Sequence, residues 1–138
     1  MSAETETGAN GRWTTLDRIV EVQPGQSAIA LRNVPNTLAI LDSHFPRFPV
    51  MPGVLILGSL GELAAELLRQ TAGGRWRLAG AERVAFRKFV GPGDSMELSV
   101  TLKSHDAGEA ILAGEVKVDG SAVTRARKLR LVPVLEAA

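Results

Sequence analysis

Cysteine is absent from this chain, which excludes a disulfide framework, thiolate catalysis and any cysteine-based zinc site. Histidine occurs only as His44 and His105, too few to supply a histidine metal cluster, so no metal is expected. Neither charge sign dominates: Lys plus Arg number 16 against 15 Asp plus Glu, a net charge of +1. General nucleic-acid affinity relies on many phosphate contacts and is not expected from that balance. Also missing is any apolar run of about 18 residues, so no membrane-spanning helix is foreseen. Residues 1–11 are polar and acidic with no hydrophobic stretch, and the expectation is a cytoplasmic protein with a disordered tail over 1–11. The 138 residues suit one core and one domain, taken here as 12–138, and 45% hydrophobic with 22% charged residues is ordinary globular composition.

What the chain does have is concentrated between His44 and Leu57. His44-Phe45-Pro46-Arg47-Phe48-Pro49-Val50-Met51-Pro52-Gly53 leads straight into Val54-Leu55-Ile56-Leu57. Pro46, Pro49 and Pro52 fix their own φ and push the residues before them toward extended geometry, so a helix can begin only near Gly53. A helix start presents unpaired N–H groups and the positive end of the macrodipole, and a glycine there lets a carbonyl or anion come close. His44 would add a base that titrates near neutrality. The plainer alternative is a loop shaped by prolines around a satisfied histidine.

Around this motif, alternation predicts strands over Ile19–Val22 and Ala28–Val34, separated by Pro24-Gly25. The apolar run from Val54 to about Gln70 predicts a helix buried on most of its surface, ended at Gly73-Gly74. Further strands are expected over about Trp76–Val90, Met96–Lys103, Ala110–Val118 and Ala122–Val134, with Pro92-Gly93-Asp94 and Asp119-Gly120 as reversals between antiparallel neighbours. The pattern is α+β: one antiparallel sheet curled around one buried helix. Cations cluster after the helix, at Arg69, Arg75, Arg77, Arg83, Arg87 and Lys88, and again at Arg125, Arg127, Lys128 and Arg130. They read either as solvated faces or as a surface for an acidic partner.

The loop-to-helix stretch resembles the motif His-Phe-Pro-x-x-Pro-x-Met-Pro-Gly-Val-Leu of the bacterial (3R)-hydroxyacyl-acyl-carrier-protein dehydratases. Leu16-Asp17-Arg18-Ile19-Val20-Glu21-Val22-Gln23-Pro24-Gly25 is similar to that family's first strand and turn, and Ala85-Phe86-Arg87-Lys88-Phe89-Val90-Gly91-Pro92-Gly93-Asp94 to its later strand and turn. The resemblance runs from about Trp13 to Val134 and implies a hotdog fold in which the sheet wraps a long central helix. It implies dehydration of a hydroxyacyl thioester to the trans-2-enoyl thioester, in fatty-acid or polyketide synthesis. No cofactor is implied beyond the phosphopantetheine arm of an acyl carrier protein that carries the substrate. It implies His44 as base, the Gly53 N–H as carbonyl donor, and Phe45, Phe48, Pro52 and Val54 against the substrate. Arg87 and Lys88 are implied at the carrier-docking rim, and the family's sites are shared between the subunits of a dimer.

One departure stands at the centre of the match. The family's acid, a Glu or Asp, falls on the position of Gly58, so turnover should be impaired. Close packing against a neighbouring backbone, membership of an acid-less half of a heterodimer, and replacement of a glutamate all remain open for that glycine. Glu62, one helical turn on, is a substitute acid or a side chain satisfied by a subunit contact or a loop, and Glu66 reads as a solvated or capping charge. Besides a dehydratase or its binding subunit, another hotdog activity such as a thioesterase is a weaker alternative.

Overall fold

A computed structural model describes residues 14–34, 51 and 53–135. The histidine loop, with His44, Phe45, Phe48 and Pro52, and the expected tail over 1–11 lie outside the described residues. Six strands and one helix follow in the order β1 (Arg18–Gln23), β2 (Ser27–Asn33), α1 (Gly53–Ala72), β3 (Trp76–Phe86), β4 (Ser95–His105), β5 (Ala110–Val118) and β6 (Ser121–Pro133). All pair antiparallel in one sheet of order β1-β2-β4-β5-β6-β3.

The alternation predicted for β4 and β5 is realised. Met96, Leu98 and Val100 on β4 and Ala110, Leu112 and Val116 on β5 turn inward, while Glu97, Ser99 and Lys117 turn away. On the inner face the sheet meets Ile56, Leu60, Leu63, Ala64, Leu67 and Leu68 of α1, all buried. Contact is close enough to require glycine at Gly114, where a β-carbon would stand 2.9 Å from Leu129 Cδ1 and 3.2 Å from Leu60 Cδ2. The Asp119-Gly120 reversal is a hairpin with both residues at positive φ, 51° and 80°, as a type I′ turn needs.

Two expectations fail. Strand β3 ends at Phe86, not Val90, and the Pro92-Gly93-Asp94 turn does not join antiparallel neighbours. Instead β3 pairs with β6 at one edge while β4 lies between β2 and β5. The turn is held against the end of β2: Gly93 N donates to Val34 O and Val34 N to Asp94 O, both at 2.9 Å. Strand periodicity states which face is wet but carries no information about which strand is adjacent. Helix α1 lies against the sheet as expected, with only a few of its residues exposed. Val54 is 72% exposed and Gly58 is exposed, leaving one side of the helix uncovered by the chain's own sheet.

Candidate functional site

Helix α1 starts at Gly53, where the prolines require it to start. Phe86, the last residue of β3, lays its ring directly on this glycine: a β-carbon at position 53 would stand 2.7 Å from Phe86 Cζ and 2.9 Å from Cε1. A side chain at this position would therefore have to displace the Phe86 ring. Just before it, Met51 N donates to Val90 O at 2.5 Å, and just after Phe86 the amides of Arg87 and Lys88 both donate to Val123 O at 2.7 and 3.4 Å. The helix start, the loop after β3 and the beginning of β6 are thus bound to one another. Arg87, Lys88 and Phe89 are exposed on that loop, Phe89 to 84%. Val54 points off the uncovered side of the helix, next to Gly53.

Gly58 lies on the same uncovered side. A β-carbon there would meet no atom of the described residues within 4 Å, so close packing among those residues does not account for the glycine.

Next to Gly58, on the sheet-facing side, is a polar cluster that sequence inspection missed. Ser59 is fully buried in α1 and Arg32, on the inner face of β2, is 9% exposed. Arg32 Nη1 donates to Ser59 Oγ at 2.6 Å, and Ser59 Oγ is 2.8 Å from Thr15 Oγ1. Thr15 Oγ1 donates to Glu62 Oε1 at 2.9 Å, and its backbone N donates to the same oxygen at 2.9 Å. Thr14 Oγ1 donates to Glu62 Oε2. Only one direction of protons satisfies the chain, because a guanidinium can only donate and a carboxylate can only accept. Protons therefore run from Arg32 to Ser59, to Thr15, to Glu62, so that a buried cation and a carboxylate are joined through two hydroxyls. Burial lowers the Arg32 pKa, and the charges of Glu62 and Asp17 raise it in part. Both Glu62 oxygens receive protons from the segment preceding β1, the loop-satisfied alternative for this residue. The sequence singles out Glu62, whereas its four partners are scattered over three segments and each alone resembles a surface residue, so no local signal exposes them.

Glu66 is neither free nor a cap. Arg69 donates to it from Nη2 at 2.5 Å and from Nε at 2.9 Å, and this hydrogen bonding holds its carboxyl below the usual range. His105 ends β4 beside a cavity of about 450 Å³ lined in part by Trp76, Asp106 and Pro133. That cavity borders Ala72 at the far end of α1, about 30 Å from Gly53 by the rise of a 20-residue helix. Among the described residues no group of three or more His, Asp or Glu could hold a metal ion, and no helix is long and apolar enough to cross a membrane.

Comparison with known proteins places these features in company. A family model described as the FabA-like domain matches residues 9–127. The chain is 33% identical over 115 residues to the 3-hydroxyacyl-[acyl-carrier-protein] dehydratase FabZ of Syntrophotalea carbinolica, covering 80% of this chain and 78% of that one. To the protein of the same name from Bacillus velezensis it is 38% identical over 114 residues, covering 80% and 81%. Among solved structures, a chain of the dehydratase heterocomplex ApeI:P from Xenorhabdus doucetiae superposes with a TM-score of 0.69 at 14% identity, covering 88% of this chain and 83% of that one. The six-stranded sheet around one helix is the hotdog fold of these neighbours.

Proposed function

This chain belongs to the FabA-like family of 3-hydroxyacyl-[acyl-carrier-protein] dehydratases, and from that premise we propose that it binds carrier-borne hydroxyacyl thioesters at the start of α1 and dehydrates them slowly. The observation that carries the reading is the helix beginning at Gly53, with first-turn N–H groups that have no intrahelical partner and can receive a thioester carbonyl. Polarising that carbonyl makes the C2 proton removable and accommodates the enolate charge that follows. In this proposal the His44 imidazole takes the C2 proton, and the electron pair left at C2 forms the C2–C3 double bond as the C3–O bond breaks. The departing oxygen needs a proton to leave as water; Gly58 has no side chain to deliver it, so the proton comes from solvent and the step is slow. Substrate is brought by the carrier's phosphopantetheine arm, with Phe45, Phe48, Pro52 and Val54 against the acyl chain and Arg87 and Lys88 at the rim. No further cofactor enters the balance.

We assign Glu62 to holding the segment before β1, not to acid catalysis, because the donors of Thr14 and Thr15 already occupy both of its oxygens. The test is a mass measurement on the carrier-bound acyl chain before and after incubation. Loss of one water, slow in the wild type, abolished in His44→Ala and retained in Glu62→Gln, is the expected result. No loss of water and no binding of the acylated carrier would defeat the proposal, and abolition in Glu62→Gln would return the acid role to that residue.

A second reading is favoured by the open, exposed surroundings of Gly58 on the uncovered helix side. In it the chain is the acid-less half of a heterodimer, completed by a related chain that carries the acid. Co-expression with an acid-bearing homologue, giving a stable mixed dimer and fast turnover only in the mixture, separates it from the first.

A further inference from the structure

One buried polar atom is left over by the packing. Thr124 on β6 is fully buried, and its Oγ1 is the single buried side-chain oxygen or nitrogen among the described residues that has no hydrogen-bond partner. A hydroxyl both donates and accepts, and burying it unpaired forfeits the hydrogen bonds that water gave it in the unfolded chain. Valine would fill the same space without that penalty. An orphaned polar group in a native core calls for a reason, and here its surroundings supply one.

Thr124 pairs with Val116 of β5 on one side and with Phe86 of β3 on the other. Residues directly opposite each other in an antiparallel ladder carry their side chains on one face of the sheet. Thr124 therefore shares the inner face with Val116, the face that α1 covers. Phe86 sets its level along the helix, because the Phe86 ring lies on Gly53, the first residue of α1. The hydroxyl thus sits one strand in from that ring, beneath the first helical turn, whose N–H groups have no intrahelical partner. Donors from two elements, a helix start and a buried strand, meet under one aromatic side chain.

We infer that the Thr124 hydroxyl is a second donor to the thioester oxygen, acting beside the Gly53 N–H, an inference that rests on the dehydratase reading above. A carbonyl oxygen has two lone pairs and can accept two hydrogen bonds. Both bonds strengthen as the C2 proton leaves to the base and its electron pair shifts onto that oxygen as enolate charge. A hydroxyl that is already dry and unpaired has no bond to give up when the oxygen arrives, so it acts without reorganisation. Phe86 is 51% exposed at the end of β3, and in this arrangement its ring turns toward solvent to admit the ligand, then covers both donors.

Exchange of the C2 hydrogen tests the donor directly, because it reads enolate formation and needs no acid for the leaving oxygen. A carrier-bound hydroxyacyl thioester is incubated with the protein in heavy water and its mass is followed. The C2 proton passes to the base, the electron pair moves to the oxygen and returns, and a deuteron takes the proton's place. At saturating thioester, Thr124→Val should slow this exchange at least about tenfold, since one oxyanion donor contributes about 10²–10³-fold. Half-saturation should move less than about threefold, as expected when the lost bond belongs to the transition state. The melting temperature of Thr124→Val should hold or rise, because the orphaned hydroxyl is gone. Thr124→Ser, which keeps a hydroxyl, should retain at least about a third of the wild-type rate. A smaller loss in Thr124→Val would overturn the inference. So would equal losses in the two variants, or a fall in the melting temperature of Thr124→Val, since either marks a packing role. A wild type that exchanges C2 no faster than Thr124→Val refutes the second donor alone, whereas one that neither binds the thioester nor exchanges C2 refutes the dehydratase reading itself.

Discussion

Replacing Gly58 with glutamate is expected to raise the dehydration rate of a carrier-bound hydroxyacyl thioester at least about tenfold, since a positioned general acid typically contributes about 10²–10⁴-fold. The fold offers no obstacle: no described atom lies within 4 Å of the β-carbon that would be added. The substitution also removes a helix-interior glycine, which favours folding by about 0.5–1 kcal/mol. Glu62, four residues on along the helix, would face the new carboxyl as a like charge and hold its proton more firmly, as a proton donor requires. Single-turnover kinetics read by mass are the appropriate measurement. Equal rates for wild type and Gly58→Glu would show that the missing acid is not what limits this chain.

The largest effect on stability is expected from Ser59→Ala. Among the described residues the Arg32 side chain donates to Ser59 Oγ alone, and removing that acceptor leaves a buried guanidinium donor unsatisfied. Stranding a buried polar group costs about 1–3 kcal/mol, and breaking a buried charge network about 3–5 kcal/mol, so a loss of about 3 kcal/mol is anticipated. Adding Arg32→Met should recover most of it, because the side chain that needed the hydroxyl is then gone and a flexible apolar one fills the space. Urea unfolding of the two single variants and the double variant decides the matter. Additive losses would mean that the guanidinium and the hydroxyl are not energetically joined.

The sequence carried the elements of this fold better than their arrangement. Period-two alternation located β4 and β5 because one face of each is buried against α1, and the three prolines placed the helix start at Gly53 by steric exclusion alone. Adjacency was beyond reach, since β3 and β4 follow one another in the chain yet lie apart in the sheet. The apolar content of α1 announced its burial, and Val54 is the apolar exception that the sheet leaves exposed. At the site, Gly53 and Gly58 could be found through the motif, whereas the Arg32–Ser59–Thr15–Glu62 chain depends on three segments meeting in space.

The sheet order has a consequence for how the chain acquires its shape. Strands β4, β5 and β6 form a meander closed by short reversals, and local pairings of this kind close quickly. Strand β3 precedes all three in the chain but must wait for β6, its partner, so that Trp76 meets Pro133 only after the intervening segment has been laid down. Closing so long a loop costs more entropy than closing a hairpin, though the cost grows only with the logarithm of its length. The edge carrying the phenylalanine over Gly53 is therefore expected to dock after the β4–β5–β6 meander and to open before it. In amide hydrogen exchange its protection should fall below that of β4 and β5, and equal protection across the sheet would show that the order of assembly leaves no trace in native fluctuations.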